Sequence, residues 1–189
     1  MMRIISGSAR GTRLATLEGE STRPTLERVK EALFSMIQFE ISGARVLDLF
    51  SGSGQLALEA LSRGAASADA VDSSSAAIAV ITKNIKATHM ENKCSIRRMT
   101  AEGFLQTNAG RREYDLVFLD PPYASNLIDE SVSLLIERGL VKKSTVIICE
   151  SDRFDILGVA NSEKCDIIKT MKHGVAHISV LKLKGAEEE

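Results

Sequence analysis

Two acidic residues and a turn that contains glycine are the first residues of this sequence whose types and spacing could hold a ligand. Asp48 is followed by Gly52 and Gly54, and Asp72 comes 20 positions after Gly52. Glycine lets the backbone turn sharply and approach a ligand closely, while an acid at the end of a strand can hold a hydroxyl or ammonium group, or a ribose diol. The spacing therefore predicts a site for a cofactor of the adenosine type.

The turn alone does not decide which cofactor binds. Residues 52–57, Gly-Ser-Gly-Gln-Leu-Ala, also match the GxGxxA fingerprint of dinucleotide-binding folds. A nicotinamide-dependent oxidoreductase is therefore an alternative at this point. A turn of this kind could also join a strand to a helix without binding anything, although the placement of both acids argues against that.

A second constellation, Asp120-Pro121-Pro122-Tyr123, directly follows the predicted strand from Tyr114 to Leu119. Here the sequence resembles the amino-methyltransferases that use S-adenosylmethionine (SAM), in which such a motif follows the fourth strand. The resemblance implies that Asp120 and the Pro121 carbonyl accept hydrogen bonds from an exocyclic amine, and that Tyr123 stacks on a flipped base.

The chemistry explains why these residue types would be needed. The lone pair of an exocyclic amine is delocalised into the ring, so two acceptors in fixed directions help the nitrogen to pyramidalise toward a methyl group. Pro121 and Pro122 stiffen the loop and set this geometry before the substrate arrives. The predicted catalytic residues are Asp120, Pro121, Pro122 and Tyr123.

Further segments extend the resemblance to the whole chain: Arg3-Ile-Ile-Ser-Gly-Ser-Ala-Arg10-Gly, Arg23-Pro-Thr25 with Arg28-Val-Lys-Glu-Ala-Leu-Phe34, residues 48–54, and Leu58-Glu-Ala-Leu-Ser-Arg-Gly-Ala65. Together they resemble the bacterial 16S ribosomal RNA guanine-N2 methyltransferases of the RsmD family. The resemblance implies methyl transfer from SAM to the 2-amino group of one guanine in small-subunit rRNA, with S-adenosylhomocysteine as the product.

The same resemblance assigns parts of the cofactor to parts of the sequence. Asp48 and the two glycines would border its methionine part, Asp72 its ribose, and Thr100 with Ala101 its adenine, for which Glu102 or a backbone amide is an alternative contact. The full set of predicted cofactor contacts is Thr25, Asp48, Gly52, Gly54, Asp72, Ser73, Thr100 and Ala101.

Basic residues are concentrated near the start of the chain, although the net charge of the whole is −1. Phosphate contacts supply affinity for RNA without reading its sequence. We therefore expect RNA contacts from Arg3, Arg10, Arg13, Arg23 and Arg28. A solvated basic face is the alternative explanation. The expected partner is 16S rRNA, free or within the small ribosomal subunit or an assembly intermediate.

From residue 44 onward, short apolar runs alternate with helical stretches, which predicts a doubly wound, Rossmann-like α/β fold with a mostly parallel sheet. The predicted strands are 45–49, 68–72, a third opening at 94–96, 114–119 and 145–149, and the predicted helices are 55–63, 76–88, 102–105 and 127–138. Gly174 lies between strand-like runs at 166–169 and 176–181, so an antiparallel hairpin is expected to close the sheet.

Ahead of this pattern, Pro24 is expected to begin an amphipathic helix whose polar face carries Arg28, Lys30 and Glu31. The sequence thus divides into a small N-terminal RNA-contacting extension over residues 1–22, a SAM-dependent methyltransferase domain over 23–184, and a frayed tail over 185–189.

Composition narrows the classes of protein further. The 189 residues include three widely spaced Cys without a CxxC pair, which favours a reduced, cytoplasmic protein without zinc. The same spacing leads us to expect no metal. No apolar run is long enough for a membrane span and no signal peptide is apparent, so we expect no association with a membrane. The alternatives that remain are an amino-methyltransferase for adenine N6 or cytosine N4, the oxidoreductase, and an inactive ribosome-assembly factor.

Overall fold

A computed structural model describes residues 2–17, 24–122 and 125–185. Its helices are α1 (Pro24–Met36), α2 (Gln55–Ser62), α3 (Ser75–Thr88), α4 (Ala101–Thr107), α5 (Leu127–Glu137) and α6 (Val159–Ser162). Its strands are β1 (Arg45–Asp48), β2 (Ser67–Asp72), β3 (Cys94–Arg98), β4 (Tyr114–Leu119), β5 (Val141–Ser151), β6 (Cys165–His173) and β7 (Ala176–Leu183).

The strands form one sheet in the order β3-β2-β1-β4-β5-β7-β6. β1 to β5 are parallel, and β7 is antiparallel to both β5 and β6. The predicted α/β class and the closing hairpin are therefore confirmed. The chain winds outward from β1 through β2 to β3 and then returns to β4 on the other side of β1. This reversal leaves a crevice between β1 and β4 at the carboxyl ends of the strands, where open α/β sheets bind ligands.

Both faces of the sheet are covered. Along β4, Leu116 and Phe118 pack into the core beneath α1, α2 and α3, whereas Val117 and Leu119 pack into the core beneath α4 and α5. Because neither face meets water there, the last four residues of β4 are all apolar, as expected for a central parallel strand. That run places the following residue, Asp120, at the edge of the crevice.

The N-terminal segment is joined firmly to this core. Arg3 and Arg13 form an isolated antiparallel bridge, and Ile4 is fully buried among residues of the first core cluster. Gly7 has a φ of 85°, and a Cβ at this position would overlap the carbonyl of Ser62 at the end of α2. Only glycine allows this approach of backbone to backbone.

One prediction about α1 is wrong. Lys30 does not lie on the solvated polar face, because its side chain is 4% exposed and its Nζ lies 3.2 Å from a carboxylate oxygen of Glu59. The Lys30 ammonium also donates to the carbonyl of Arg3 at 2.7 Å. A helical pattern considered alone cannot show that a buried carboxylate lies on the facing helix.

Other differences from the predicted elements lie where the periodicity of apolar residues in the sequence is weak. β5 begins at Val141, before the polar pair Lys142-Lys143, and β6 extends over an exposed edge that shows no alternation. The short helix α6 was not predicted. Most of the predicted tail, residues 186–189, lies outside the described residues.

Among the helices that the structure describes, none is both long enough and apolar enough to cross a membrane.

Candidate active site

A cleft of about 1080 Å³ opens over the crevice between β1 and β4. Its walls come from the turn after β1, the ends of β2 and β3, the loop after β4, and the first half of α5. Such a volume is at the upper end of what small-molecule sites use. Of the predicted cofactor and catalytic residues, those that line the cleft are Gly52, Asp72, Ser73, Thr100, Ala101, Asp120, Pro121 and Pro122.

Asp72 holds in place the turn between β1 and α2, residues 49–54, which we call the glycine turn. One of its carboxylate oxygens accepts a hydrogen bond from the Gly52 amide at 2.9 Å, and the other accepts from the Ser74 amide at 2.8 Å. The carboxylate at the end of β2 thus fixes the turn at the end of β1. Since each carboxylate oxygen can accept more than one hydrogen bond, Asp72 retains capacity to bind a ligand hydroxyl.

Asp48 and Gly54 lie behind the turn and are not among the lining residues. One oxygen of Asp48 accepts from the Ala57 amide at 3.3 Å, while the other is buried and finds no partner among the described residues. Burial, opposed in part by the Ala57 hydrogen bond, raises the pKa of Asp48 to about 7. Gly54 has a φ of 76°, and Ile81 packs against it. Both residues therefore support the turn from below.

Asn84 is a structural member of the site that the sequence did not indicate. Its amide nitrogen donates to the carbonyls of Ser53 and Ala15, and its oxygen accepts from the Ala15 amide. This buried side chain on α3 ties the glycine turn to the N-terminal segment. An Asn in a helix carries no sequence signal for such a role, because its partners are distant backbone groups.

Thr100 has a local role in addition to lining the cleft. Its hydroxyl caps α4 by accepting from the Gly103 amide at 3.1 Å. Ala101 and Glu102 begin that helix at the rim, so both the predicted adenine contact and its alternative lie on the same wall. Thr25 lies in the first turn of α1, and nothing is described of its side chain.

The loop that follows β4 begins with Asp120, Pro121 and Pro122, which line the cleft. We call it the Asp120 loop. Pro121 is buried and Pro122 is exposed, and the Ser125 hydroxyl donates to the Pro122 carbonyl at 2.8 Å. Arg153 donates to the Ser125 carbonyl at 2.9 Å and to the Asn126 side chain at 3.1 Å. Tyr123 lies outside the described residues.

The cleft is strongly acidic. Its carboxylates are Asp72, Glu102, Asp120, Asp129 and Glu130, and the described residues that line it include no Lys, Arg or His. The last two acids, in the first turn of α5, were not predicted as site residues. Their only sequence signal is their closeness to the Asp120 loop. This charge favours a ligand that carries positive charge.

The predicted RNA-binding arginines occupy the N-terminal side of the molecule. Arg3, Arg10, Arg13 and Arg28 are all exposed, and Arg3 forms an ion pair with Glu27 at 3.1 Å. Arg23 lies outside the described residues.

The three cysteines are poor candidates for nucleophiles. All are buried free thiols, and burial is the main cause that raises the pKa of each, that of Cys94 to about 12. Within residues 2–17, 24–122 and 125–185, no group of three potential metal ligands comes together.

The chain is similar to known proteins over nearly its whole length. The model of the family described as conserved hypothetical protein 95 matches residues 2–182. The chain belongs to this family. Its predicted membership of the RsmD-like methyltransferases is confirmed.

Similar family members include the putative rRNA methyltransferase YlbH of Bacillus subtilis, which is 36% identical over 97% of this chain and 100% of its own length. The ribosomal RNA small subunit methyltransferase D of Escherichia coli is 36% identical over 80% of this chain and 75% of its own length. A solved structure, the putative methyltransferase yhhF from Escherichia coli, superimposes with a TM-score of 0.84 at 30% identity, covering 98% of this chain and 99% of that one.

The raised pKa of Asp48 generates a prediction about stability. In the unfolded chain this carboxyl ionises near its ordinary pKa of 3.8, so from about pH 4 to about pH 7 the folded state keeps a proton that the unfolded state has lost. The contribution of Asp48 to the free energy of unfolding therefore falls as the pH rises. Asp48→Asn removes this penalty, so its Tm minus that of the wild type should increase across the window, measured by calorimetry without cofactor.

Asp115→Asn provides the control. Partial burial of Asp115 is outweighed by hydrogen bonds from the Arg45 amide and the Lys142 ammonium, which lower its pKa. Its contribution changes only below about pH 5, so the Tm difference of this variant should be flat from about pH 5 to about pH 7, where that of Asp48→Asn still increases. A flat difference for Asp48→Asn as well would contradict the assignment.

Proposed function

We propose that this protein transfers a methyl group from SAM to the exocyclic N2 amine of one guanine in 16S rRNA. The observation that carries the proposal is that the glycine turn and the Asp120 loop meet in one cleft, so a cofactor held by the first would face an amine held by the second. Relatives named rRNA methyltransferases support RNA as the substrate.

The charge of the cleft supports SAM as the cofactor. SAM carries two positive groups, its sulfonium and its ammonium, and one negative group, its carboxylate, so its net charge is positive. A nicotinamide dinucleotide carries an anionic pyrophosphate. Five carboxylates around the cleft would attract the first and repel the second. Gly52, Asp72, Ser73, Thr100 and Ala101 are the lining residues proposed to hold SAM. Asp48 and Gly54 would support them from behind the turn, and Thr25 stays a proposed contact.

The protein's part in the reaction is mainly positioning. SAM supplies an already activated methyl group on its sulfonium. Asp120 and the Pro121 carbonyl hold the guanine amine and direct its lone pair, Pro122 stiffens the loop, and Tyr123 is proposed to stack on the base. Because the amine is held in place before transfer, most of the acceleration comes from proximity and orientation. As the nitrogen–methyl bond formed, the sulfur–methyl bond would break and S-adenosylhomocysteine would be the leaving group. The extra proton on the amine would then pass to water, so no strongly shifted general base is needed.

The choice of base needs a direct test, because this loop could hold any planar exocyclic amine. Small-subunit rRNA from cells lacking the gene, free and in assembled subunits, is incubated with the protein and labelled SAM, and its nucleosides are identified by mass spectrometry. We expect N2-methylguanosine at one site. N6-methyladenosine or N4-methylcytidine would support the alternative amino-methyltransferase, and an unmodified RNA would overturn the proposal.

Variants of Asp120 distinguish two possible roles of this side chain, as a hydrogen-bond acceptor or as a base. If it only accepts a hydrogen bond from the amine, Asp120→Asn keeps a carbonyl oxygen and should retain measurable transfer. Asp120→Ala removes the acceptor and should slow transfer by about 10- to 150-fold. Single-turnover transfer of labelled methyl groups with saturating SAM measures both rates, after the fold of each variant has been checked.

If Asp120 instead removed the proton in the rate-limiting step, the Asn variant would be as slow as the Ala variant. Equal and nearly complete loss in both would therefore reject the positioning mechanism. Wild-type rates in both variants would show that Asp120 has no role in methyl transfer.

The N-terminal arginines are proposed to bind the RNA backbone. Replacing Arg3, Arg10 and Arg13 by Ala should reduce the dependence of log K for RNA on log salt by about two to three units, because fewer phosphates are neutralised. Mobility shifts over a series of salt concentrations measure this slope, and SAM affinity should not change.

A matched control removes three exposed basic residues that lie outside the N-terminal segment. Arg111, Arg138 and Lys143 lie near the amino ends of β4 and β5, and their replacement by Ala should leave the salt slope unchanged. Equal slopes for both triple variants would assign the N-terminal arginines to a merely solvated face.

The expected location of this reaction is the cytoplasm, with 16S rRNA, free or in the small subunit or its assembly intermediate, as the partner.

A further inference from the structure

The chain that follows β5 lies beside the Asp120 loop. Leu119, the last residue of β4, pairs with Cys149, and Ser151, the last residue of β5, pairs with His177 at the start of β7. Residues 152–155 therefore leave the sheet at the same edge as Asp120, on the side away from the glycine turn.

Phe154 is an aromatic residue that this segment leaves exposed. Its side chain is 55% exposed, and its ring packs edge-on against the imidazole of His177, with 3.7 Å between the ring centroids and 62° between the planes. His177 itself is 6% exposed and belongs to β7. The sheet therefore supports the Phe154 ring from one side while water covers much of the rest.

The neighbouring residue connects this ring to the catalytic loop. Arg153 spans from the end of β5 to Ser125 and Asn126, just beyond the Asp120 loop. Its backbone amide donates to the Ser151 hydroxyl at 3.2 Å, which fixes the start of the segment. Phe154 is thus held at a set position relative to the loop that would bind the methyl acceptor.

We propose that Phe154 is a stacking platform for a single-stranded nucleotide next to the target guanosine. This inference rests on the proposed function. A base flipped into the cleft loses its stacking partners, and so do its unpaired neighbours. RNA-binding proteins commonly bind such bases on exposed aromatic rings.

The charges around Phe154 favour a base rather than a phosphate on the ring itself. Asp152 and Asp155 are the first and last residues of the segment and would oppose a phosphate near the ring, whereas the Arg153 guanidinium between them is turned to Ser125 and Asn126. Lys172 is exposed and pairs in register with His177, so its side chain lies on the same face of the hairpin. The nucleotide would therefore place its base on Phe154 and its backbone toward Lys172.

The test compares variants at position 154 in methyl transfer to small ribosomal subunits from cells lacking the gene. Phe154→Ala should raise KM for the subunit by about 5- to 150-fold, the effect of losing one stacked base. Phe154→Trp and Phe154→Tyr, which keep a ring, should restore KM, whereas Phe154→Leu should not. KM for SAM should be unchanged in all four.

Phe39 offers a matched control. It is 89% exposed and lies between α1 and β1, at the amino edge of the sheet, so Phe39→Ala should behave as the wild type. Rescue by Leu would show that the residue merely packs on His177 and would overturn the inference. An unchanged KM in Phe154→Ala would overturn it too, while the proposed function would stand. A wild-type protein that leaves the subunit unmethylated overturns both.

A spectroscopic measurement reports stacking directly. The natural chain contains no Trp, so Phe154→Trp and Phe39→Trp each carry a single indole. With rRNA bound, as followed by mobility shift, the emission of the indole at 154 should be quenched and that at 39 should not. Equal emission from the free and RNA-bound forms of Phe154→Trp would contradict stacking.

Discussion

The buried carboxylate of Glu59 is the interaction on which the N-terminal side of the molecule depends. It accepts hydrogen bonds from the amides of Ile5 and Ser6 at 2.8 and 3.0 Å, and it pairs with Lys30 at 3.2 Å and Arg63 at 2.8 Å. With no exposed surface of its own, it would be very costly unpaired. Removing one partner of such a buried pair typically costs about 3 to 5 kcal/mol. One side chain thus holds the N-terminal segment, α1 and α2 together.

This connection bears on function because the same segment reaches the glycine turn. The Ser53 hydroxyl donates to the sulfur of Met2 at 3.4 Å, and Asn84 joins Ala15 to Ser53. The proposed RNA-contacting arginines are therefore carried on a framework that also shapes the proposed cofactor site. A change in how the N-terminal segment packs at Glu59 would therefore alter the contacts that position the glycine turn.

At the other side of the cleft, the order of the strands decides which groups meet. β4 returns beside β1, so the Asp120 loop faces the glycine turn even though three strands and three helices lie between them in the chain. β5 and β7 lie next in the sheet and carry Phe154 and His177 to the same edge. A cofactor, an amine and a neighbouring base could therefore be held along one line of strand ends.

The sequence by itself determined the α/β class, the glycine turn and the Asp120 loop, because apolar runs, glycines and prolines act through local backbone geometry. Only the tertiary structure decided that Lys30 is buried, that Asp48 lies behind the turn, and that Asn84 links two distant segments. Each of these depends on a partner far away in the chain. Local patterns reveal which element a residue joins, whereas burial and pairing follow from how the elements pack.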